Sequence, residues 1–304
     1  MELPHPMTSA EIVAFFSHTR VKGLSSFRSL CNALKFWVMQ QSVTFWKETH
    51  AGRLTVLDVG CGRGGDLRKW ASLRLKTYVG VDASENSIAE AKTRHASLVT
   101  QGQTALSASF FRRDLLLEPL PMEAGTVDIV SSMFFLQFSF GSERSARFLL
   151  DEVARVLKPG GVLACILPDG DLVYSLLSEG RETPFLGHFR LERCHVAARE
   201  DKEGQETVTA ASSSPYGLAY NYALANATGW CTEFLVSSRL LSQLLTERHF
   251  EPVFSSGSFL EGSQELLSTS EDRQTVLTIL QGEKCSQLDW LSLGFFNVLM
   301  ARKS

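Results

Sequence analysis

Paired cysteines are missing from this chain of 304 residues. Its six cysteines are scattered at positions 31, 61, 165, 194, 231 and 285, and no two of them form a C-x-x-C pair. Such a pattern provides neither a zinc-site signature nor a disulfide framework. The composition therefore favours a protein of a reducing compartment.

Long apolar runs and an excess of basic residues are also missing. No segment has the length of a transmembrane helix, and residues 1–10 lack the charged-then-apolar order of a signal peptide. We therefore expect no membrane association. The 30 Lys and Arg residues are balanced by 33 Asp and Glu residues, which gives a net charge of −3. Any contact with nucleic acid must then come from a local basic patch.

The most informative feature that is present is a glycine-rich turn. Residues 56–67 read VLDVGCGRGGDL, an apolar strand that runs into a turn and then a helix. Such a turn brings the backbone close to a ligand, and the helix behind it offers free N–H groups. Asp82 ends a second apolar strand, 20 positions after Gly62. At that spacing in a βαβ unit a carboxylate accepts hydrogen bonds from a ribose hydroxyl, so we expect an adenosine-type cofactor.

The positions of the glycines narrow the choice of cofactor. Dinucleotide sites usually read G-x-G-x-x-G, whereas glycines stand here at 60, 62, 64 and 65, with Asp58 just before them. This pattern resembles motif I of the S-adenosylmethionine-dependent methyltransferases and implies S-adenosyl-L-methionine as the cofactor. Asp114, after a third apolar strand, adds a further carboxylate at the same edge.

The periodicity of apolar residues predicts an α/β fold. A long amphipathic helix is expected over residues 25–50, ahead of the first strand. Strands and helices then alternate, which implies a parallel sheet with helices on both faces and ligands at the carboxyl ends of its strands. The predicted strands are 54–59, 77–82, 108–111, 128–133 and 162–167, and the predicted helices are 64–73, 84–100 with Ser84 as N-cap, and 143–157, stopped by Pro159-Gly160-Gly161.

The second half of the chain breaks this rhythm. Residues 197–215 are polar and read as an exposed loop or a partly disordered insertion. Residues 188–195 and 215–224 are strand-like, 239–248 are helical, and 293–300 predict an antiparallel strand at the edge of the sheet. We expect an N-terminal helical extension over 1–52 and one domain over 53–304. Within that domain, an insertion at about 186–234 would cover the mouth of the site.

Several motifs together resemble the mRNA cap (guanine-N7) methyltransferases. Their motif I continues, as residues 65–70 do here, into Gly-Asp-Leu and Lys-Trp. Further matches follow in the same order, and the similarity covers about residues 28–303. The resemblance implies a Rossmann-like class I methyltransferase with a mainly parallel seven-stranded sheet and a small β-rich insertion. The further matches are residues 28–35, 138–140, 157–161 and 233–236.

The resemblance assigns residues to the cofactor. Lys35 would meet the methionine carboxylate, Asp82 the ribose hydroxyls, and Asp114 with the Leu115 backbone the adenine amino group. Met133 replaces a glutamine of the family, so only a backbone contact is expected there. The complete set is Lys35, Asp58, Gly60, Gly62, Asp82, Ala83, Asp114, Leu115 and Met133.

The resemblance also assigns a cap pocket, where this chain departs from the family. Relatives carry a His-Tyr pair where Gln137-Phe138 stands here, so a histidine's charge and a tyrosine's hydroxyl are absent. Glu233 matches a glutamate that pairs with guanine N1–H and the exocyclic amine. The expected cap-binding set is Arg63, Phe134, Gln137, Phe138, Tyr216, Tyr220, Glu233 and Phe296.

A group of basic residues follows the glycine turn. Arg63 stands where relatives keep a lysine near the triphosphate bridge, and arginine retains the charge. The group is either a solvated face or the contact for an RNA end. Its other members are Arg68, Lys69 and Arg74, with Arg20, Lys22 and Arg28 upstream.

The activity implied by the resemblance is methyl transfer to N7 of a GpppN cap. Because the reaction is a direct displacement, we expect proximity and alignment to suffice, with no catalytic nucleophile and no metal. The partner would be 5′-capped RNA, with other capping enzymes or transcription machinery as further partners, and the chain would act as a monomer in the nucleus. Two alternatives stay open, namely a methyltransferase of a small molecule and a non-catalytic scaffold that binds cap or cofactor.

Overall fold

The computed structural model describes residues 25–73, 75–178, 185–186, 188–193, 214–224, 230–255 and 295–304. The predicted polar insertion at 197–215, apart from its last two residues, lies outside these ranges, as do Arg20, Lys22 and Arg74. Among the described residues, no helix combines the length and apolar character needed to cross a bilayer.

A seven-stranded sheet forms the centre of the molecule, and its strand order is β10-β11-β5-β4-β1-β2-β3. The five strands from β5 to β3 are parallel, whereas β11 is antiparallel to both of its neighbours. The strands are β1 (Thr55–Val59), β2 (Thr77–Asp82), β3 (Ser107–Arg112), β4 (Val127–Met133), β5 (Leu157–Pro168), β10 (Phe250–Ser255) and β11 (Phe296–Lys303).

Helices cover both faces of this sheet, which explains why β4 is buried along its whole length. One face packs against the long helix α1 and the other against α4 and α6. The helices are α1 (Ser25–Lys47), α2 (Leu67–Ser72), α3 (Glu85–Thr100), α4 (Glu143–Val156), α5 (Gly170–Ser178) and α6 (Ser238–Thr246), with a short 3-10 helix over Leu136–Gly141.

A second, antiparallel sheet contains the described part of the predicted insertion. Its order is β6-β7-β8-β9. Its two longer strands fall within the segments predicted as strand-like, and its strands are β6 (Phe185–Leu186), β7 (Phe189–Arg193), β8 (Ala219–Leu224) and β9 (Cys231–Phe234).

The alternating α/β pattern is confirmed, and so is Ser84 as an N-cap, since its hydroxyl accepts from the N–H of Ser87 at 3.2 Å. The helix predicted over 64–73 is shorter, because the glycine turn occupies its first residues and α2 begins at Leu67. The helix α4 ends at Val156, just before Pro159-Gly160-Gly161. These residues belong to β5, where Gly160 has a φ of +75° and the pairing with β4 shifts register between Val127 and Ile129.

The C-terminal strand was predicted at the edge of the sheet, and this prediction is wrong. β11 lies between β5 and β10, and β10 forms the edge. Burial in β11 is continuous from Val298 to Ala301 and does not alternate, as expected for a strand inside the sheet. The sequence analysis missed β10, because Glu251 and Ser255 are exposed on it and weaken its apolar pattern.

A buried carboxylate joins α1 to the sheet. Asp128, only 2% exposed, accepts hydrogen bonds from Trp46 Nε1 (3.2 Å), the Thr55 N–H (2.8 Å) and Lys158 Nζ (2.7 Å). Three elements that are distant in sequence therefore meet on one side chain. Each of its partners would lose an acceptor if this carboxylate were removed.

We expect Asp128→Ala to lower the free energy of unfolding by about 2–4 kcal/mol, because it leaves buried donors unpaired. Urea unfolding monitored by tryptophan fluorescence measures this change. The exposed Glu123→Ala serves as the control and should fall within about 0.5 kcal/mol of the wild type. Equal stabilities of the two variants would contradict the role given to Asp128.

Candidate active site

A cavity of about 470 Å³ opens at the carboxyl ends of the parallel strands. Four segments line it, each following one strand, as expected for an open α/β sheet. These are the glycine turn after β1 (Gly60, Gly62, Arg63, Gly65), the end of β2 with the start of α3 (Asp82, Ala83, Ser84, Ser87, Arg94), the segment after β3 (Asp114, Leu115, Leu116), and the end of β4 (Met133, Phe134, Phe135, Phe138).

The glycine turn is held against the end of β2. The N–H groups of Gly60 and Cys61 both donate to the carbonyl of Val81, at 2.9 and 3.0 Å. Gly60 has a φ of +75°, and a Cβ at this position would lie 2.5 Å from the ring of Phe135. Only glycine satisfies both conditions, so the turn passes directly beneath an aromatic wall of the cavity.

Asp82 ties the same turn to the next helix. One oxygen of its carboxylate accepts from the Gly62 N–H and the other from the Ser84 N–H, each at 2.9 Å. Burial raises the pKa of Asp82, and these two backbone donors oppose the rise. Because a carboxylate oxygen can accept more than one hydrogen bond, both oxygens of Asp82 can still accept from a ligand hydroxyl.

Further predicted cofactor residues lie on the remaining walls of the cavity. Asp114 bends its own loop by accepting from the Leu116 N–H at 3.1 Å, and Leu115 is buried beside it. Phe134 follows β4 with a φ of +68°, which is uncommon for a residue that is not glycine. Its N–H still donates to the Ile166 carbonyl at 2.8 Å. This strained backbone at the end of a strand is typical of functional sites.

Two predicted cofactor residues do not line the cavity. Asp58 lies beneath the turn, 3% exposed, and accepts from the Tyr78 hydroxyl at 2.6 Å. Burial, reinforced by the charge of Asp66, raises the pKa of Asp58 to about 7. Lys35 forms an ion pair with Asp66 at 2.9 Å and stands 5.1 Å from the centre of the Phe134 ring. Lys35 therefore contacts the cavity wall from behind.

Asp66 was not among the predicted site residues, yet it organises the cations near the turn. Its second oxygen is 2.7 Å from Lys69 Nζ. Burial alone would raise the pKa of Asp66, but Lys35 and Lys69 together hold it at about 2. Its position directly after the glycines, in a motif that continues into a lysine, was the available sequence signal.

A buried polar network stands behind the aromatic wall. Glu233 is 4% exposed, and its two carboxylate oxygens accept from the Tyr220 hydroxyl at 2.8 Å and from Gln137 Nε2 at 2.9 Å. Gln137 also donates to the Phe134 carbonyl at 3.2 Å, which ties the network to the cavity wall. The Gln137 Oε1 atom is buried and has no hydrogen-bond partner within the described part of the chain.

Burial raises the pKa of Glu233 from 4.5 to about 7, although Gln137 and Tyr220 both favour the ionised form. The folded protein thus binds this proton more tightly than the unfolded chain does. As the pH rises from about 4.5 to 7, ionisation of Glu233 weakens folding. A carboxylate with this behaviour is typical of a site where charge serves function rather than stability.

The structure places six of the eight predicted cap residues in two groups. Arg63, Phe134 and Phe138 line the cavity, and Gln137, Tyr220 and Glu233 form the network behind it. Phe296 packs on Phe134, with ring centres 4.6 Å apart. Tyr216 is not brought to this place: it stacks on Phe140 at 6.1 Å, on the opposite face of the sheet.

The members of the predicted basic group also lie in different places, and only some of them reach the cavity. Arg63 reaches the cavity and lies 3.4 Å from Glu90, whereas Lys69 is engaged by Asp66 and Asn32. Arg68 is exposed on α2 and points to a second depression. Lys69 is therefore structural, and only part of the group is available to a ligand.

Six residues that line the cavity were not among the predicted site residues, namely Gly65, Ser84, Ser87, Arg94, Leu116 and Phe135. Phe135 is adjacent to predicted residues, and Ser87 follows the Ser84 N-cap by one turn of α3, so strand-end position and helical spacing are the signals that point to them. Arg94 lies further along α3 and carries no motif of its own.

These residues fit S-adenosyl-L-methionine. The positive φ at Gly60 and Gly62 opens a cradle that a Cβ would fill at Gly60, and Asp82 and Asp114 offer carboxylate acceptors on the cavity wall. Within the described residues, no group of three or more His, Cys, Asp or Glu side chains is arranged to hold a metal ion.

Solved structures define the class of this fold. An S-adenosylmethionine-dependent methyltransferase from Clostridium acetobutylicum has a TM-score of 0.53 at 10% identity, over 91% of this chain and 92% of that one. A protein from Pyrococcus horikoshii has a TM-score of 0.53 at 15% identity, over 98% and 100%. The fold is that of the class I S-adenosylmethionine-dependent methyltransferases.

Sequence comparison defines the family. The model of the mRNA (guanine-N(7))-methyltransferase domain matches residues 16–287, so the chain belongs to this family. An mRNA cap guanine-N(7) methyltransferase of Saccharomyces cerevisiae is 30% identical over 249 residues, which are 80% of this chain and 54% of that protein. Its counterpart in Caenorhabditis briggsae is 28% identical over 259 residues, 82% of this chain and 66% of that protein. The chain thus spans between half and two thirds of these relatives. Fold and family together imply S-adenosyl-L-methionine as the cofactor.

We expect Gly60→Ala to weaken binding of S-adenosylhomocysteine at least tenfold, because the new Cβ would collide with Phe135 and displace the cavity wall. Gly102→Ala is a matched control, since Gly102 has a similar φ of +65° and open space around its Cα. Isothermal titration calorimetry on both variants separates the collision from the cost of a positive φ. Equal affinities would contradict this account of the turn.

Proposed function

We propose that the chain transfers a methyl group from S-adenosyl-L-methionine to N7 of the guanosine that caps RNA. The observation that carries the proposal is the buried Gln137–Glu233–Tyr220 network, which is hydrogen-bonded to the cavity wall through the Phe134 carbonyl. A buried carboxylate beside two aromatic rings suits a planar base that offers two N–H donors on one edge.

In this proposal the cofactor lies across the glycine turn. Asp82 accepts from the ribose hydroxyls with its remaining lone pairs, and Asp114 with the Leu115 backbone holds the adenine. Lys35 donates one N–H to Asp66, and an ammonium group has three N–H donors. It therefore retains donors for the methionine carboxylate near Phe134.

The cap guanine is proposed to enter between the aromatic wall and Glu233. Guanine N1–H and its exocyclic amine would bind the carboxylate that Tyr220 and Gln137 now hold from the other side. Phe134 and Phe138 provide apolar faces for the base, and Arg63 provides a cation at the mouth for the triphosphate bridge.

The residues act by position rather than by proton transfer. S-adenosylmethionine supplies, when bound, a methyl group that its sulfonium activates. Glu233 fixes the edge of the purine so that N7 faces the cavity, and its negative charge favours the positive charge that develops on the ring. The aromatic wall excludes water from the two reacting groups.

Capped RNA is accordingly the proposed partner, with other capping enzymes or the transcription machinery as further ones. The proposed compartment is the nucleus, where nascent transcripts are capped, and the proposed state is a monomer. These statements follow from family membership, and the domain bounds of 1–52 and 53–304 remain predictions as well.

A non-catalytic, cofactor-binding scaffold is a second candidate. The observation in its favour is that Gln137 and Glu233 already satisfy one another while only 1% and 4% exposed. The base must therefore displace part of this network to bind. A methyltransferase of a small molecule is a weaker alternative, because it gives no role to the Glu233 network.

Purified protein with labelled S-adenosylmethionine should methylate GpppA- or GpppG-capped RNA and release N7-methylguanosine on digestion. Uncapped triphosphate RNA and RNA with a pre-methylated cap should receive no label. Asp82→Ala should reduce transfer by about 10- to 100-fold, because it removes charged hydrogen bonds from the turn and the ribose. The exposed Asp151→Ala is the matched control.

Cofactor binding by calorimetry without transfer to any cap would contradict the proposal and favour the scaffold. Label on a small molecule from an extract, with none on capped RNA, would favour the other alternative.

The value of kcat/KM for capped RNA should rise with pH through about 7, where Glu233 ionises, and level off above it. The protonated acid presents an O–H toward the donors of guanine, so only the ionised form binds both. Glu233→Gln should lower kcat/KM by about 30- to 1,000-fold and abolish this rise.

Asp58 also has a pKa near 7, so Asp58→Asn is the companion variant, and its profile should keep the inflection. A Glu233→Gln profile with the same inflection as the wild type would contradict the assignment.

A further inference from the structure

A second depression of about 470 Å³ lies between α2 and α3, and no role has been given to it. Its rim carries Arg68 from α2 and Arg94 from α3, with the polar side chains Thr93, Ser97 and Gln101 along α3. None of its described lining residues is aromatic. We refer to this depression as the α2–α3 groove.

The α2–α3 groove is continuous with the cofactor cavity. Gly65 and Arg94 line both of them. A chain whose end occupies the cavity would therefore enter the groove past Gly65 and Arg94. Gly65 is exposed, and nothing but the tip of the Arg94 side chain lies within 4 Å of a Cβ built on it.

The charges of the groove are partly neutralised by one side chain. Glu90 pairs with Arg94 at 3.1 Å and with Arg63 at 3.4 Å, and it is 41% exposed. An ion pair so exposed to solvent is readily exchanged for another anion. Arg68 is exposed, and within the described part of the chain no carboxylate pairs with it. The groove thus offers guanidinium groups at both rims and the hydroxyl of Ser97 between them, since the Thr93 hydroxyl donates to the Ala89 carbonyl.

We propose that the α2–α3 groove binds the phosphodiester backbone of the RNA that follows the cap. Guanidinium groups and hydroxyls are the partners that phosphate oxygens select. The lack of aromatic side chains among its lining residues leaves nothing for bases to stack on, so binding is independent of sequence. The inference rests on the proposed function and extends it from the cap to the transcript.

The experiment compares a GpppA dinucleotide with a capped 20-nucleotide RNA as methyl acceptors. Arg68→Ala should raise KM for the capped RNA by about 3- to 10-fold and leave the dinucleotide unchanged, because Arg68 contacts only the groove. The salt dependence of log KM should lose about 0.7 in slope, as for one phosphate contact on a single strand. Arg144→Ala, an exposed arginine on α4, is the matched control.

Glu90→Gln is the opposite variant and should lower KM for the capped RNA, since it releases Arg94 and Arg63 from their carboxylate. Fluorescence anisotropy with an uncapped labelled RNA tests the groove without requiring activity. Arg68→Glu should weaken this binding about tenfold or more, with a melting temperature equal to that of the wild type.

The inference would be overturned if Arg68→Ala changed KM equally for the capped RNA and the dinucleotide. It would also be overturned if Arg68→Glu left RNA binding unchanged. If Arg68→Glu released a labelled acidic peptide but left RNA binding unchanged, the groove would belong to a protein partner. This result would overturn the inference too. Failure of the proposed function looks different, because the wild type would then methylate neither acceptor while anisotropy still reports on the groove.

Discussion

The site depends on one constraint, namely the attachment of the glycine turn to the end of β2. Backbone N–H groups of Gly60 and Cys61 converge on the Val81 carbonyl, and Asp82 then captures the next donor, that of Gly62. A turn fixed in this way cannot drift away from the sheet, so the cavity keeps its depth. The same carboxylate accepts from Ser84, and α3 therefore starts at a defined place. Arg94, at both the cavity and the groove, owes its position to this start.

The second constraint is the buried carboxyl group of Glu233, whose negative charge does not stabilise the fold. Asp128 secures structure by accepting from donors of three elements. Glu233 differs from Asp128, because its ionisation works against folding over the range in which its pKa is displaced. In the proposed function this side chain binds the N–H donors of the base, and the Gln137 Oε1 atom beside it has no hydrogen-bond partner among the described residues. Stability and recognition are therefore separated on two different acids.

The local spacing of motifs predicted the cofactor residues of the site well. Contacts between residues distant in sequence were predicted much less well. Gly60, Asp82 and Asp114 follow strand ends that the apolar periodicity marks, so their convergence at one edge could be predicted. Lys35 and its partner Asp66 could not be paired, because 31 positions separate them and no periodicity connects a helix to a turn. Gln137 and Glu233 are 96 positions apart, and only the family resemblance linked them. The place of β11 was misjudged for a related reason, since strand order in a sheet is set by pairing rather than by pattern.

The position of β11 has a consequence for how the chain assembles. Residues near the end of the sequence insert between β5 and β10, with Phe296 opposite Pro168 and Lys303 opposite Phe250. On a ribosome, β5 is made more than a hundred residues earlier, and one of its edges waits unpaired until β11 emerges. An open strand edge on a half-built sheet invites pairing with the wrong chain. The nascent protein therefore passes through a period in which this edge of β5 is open to pairing with another chain.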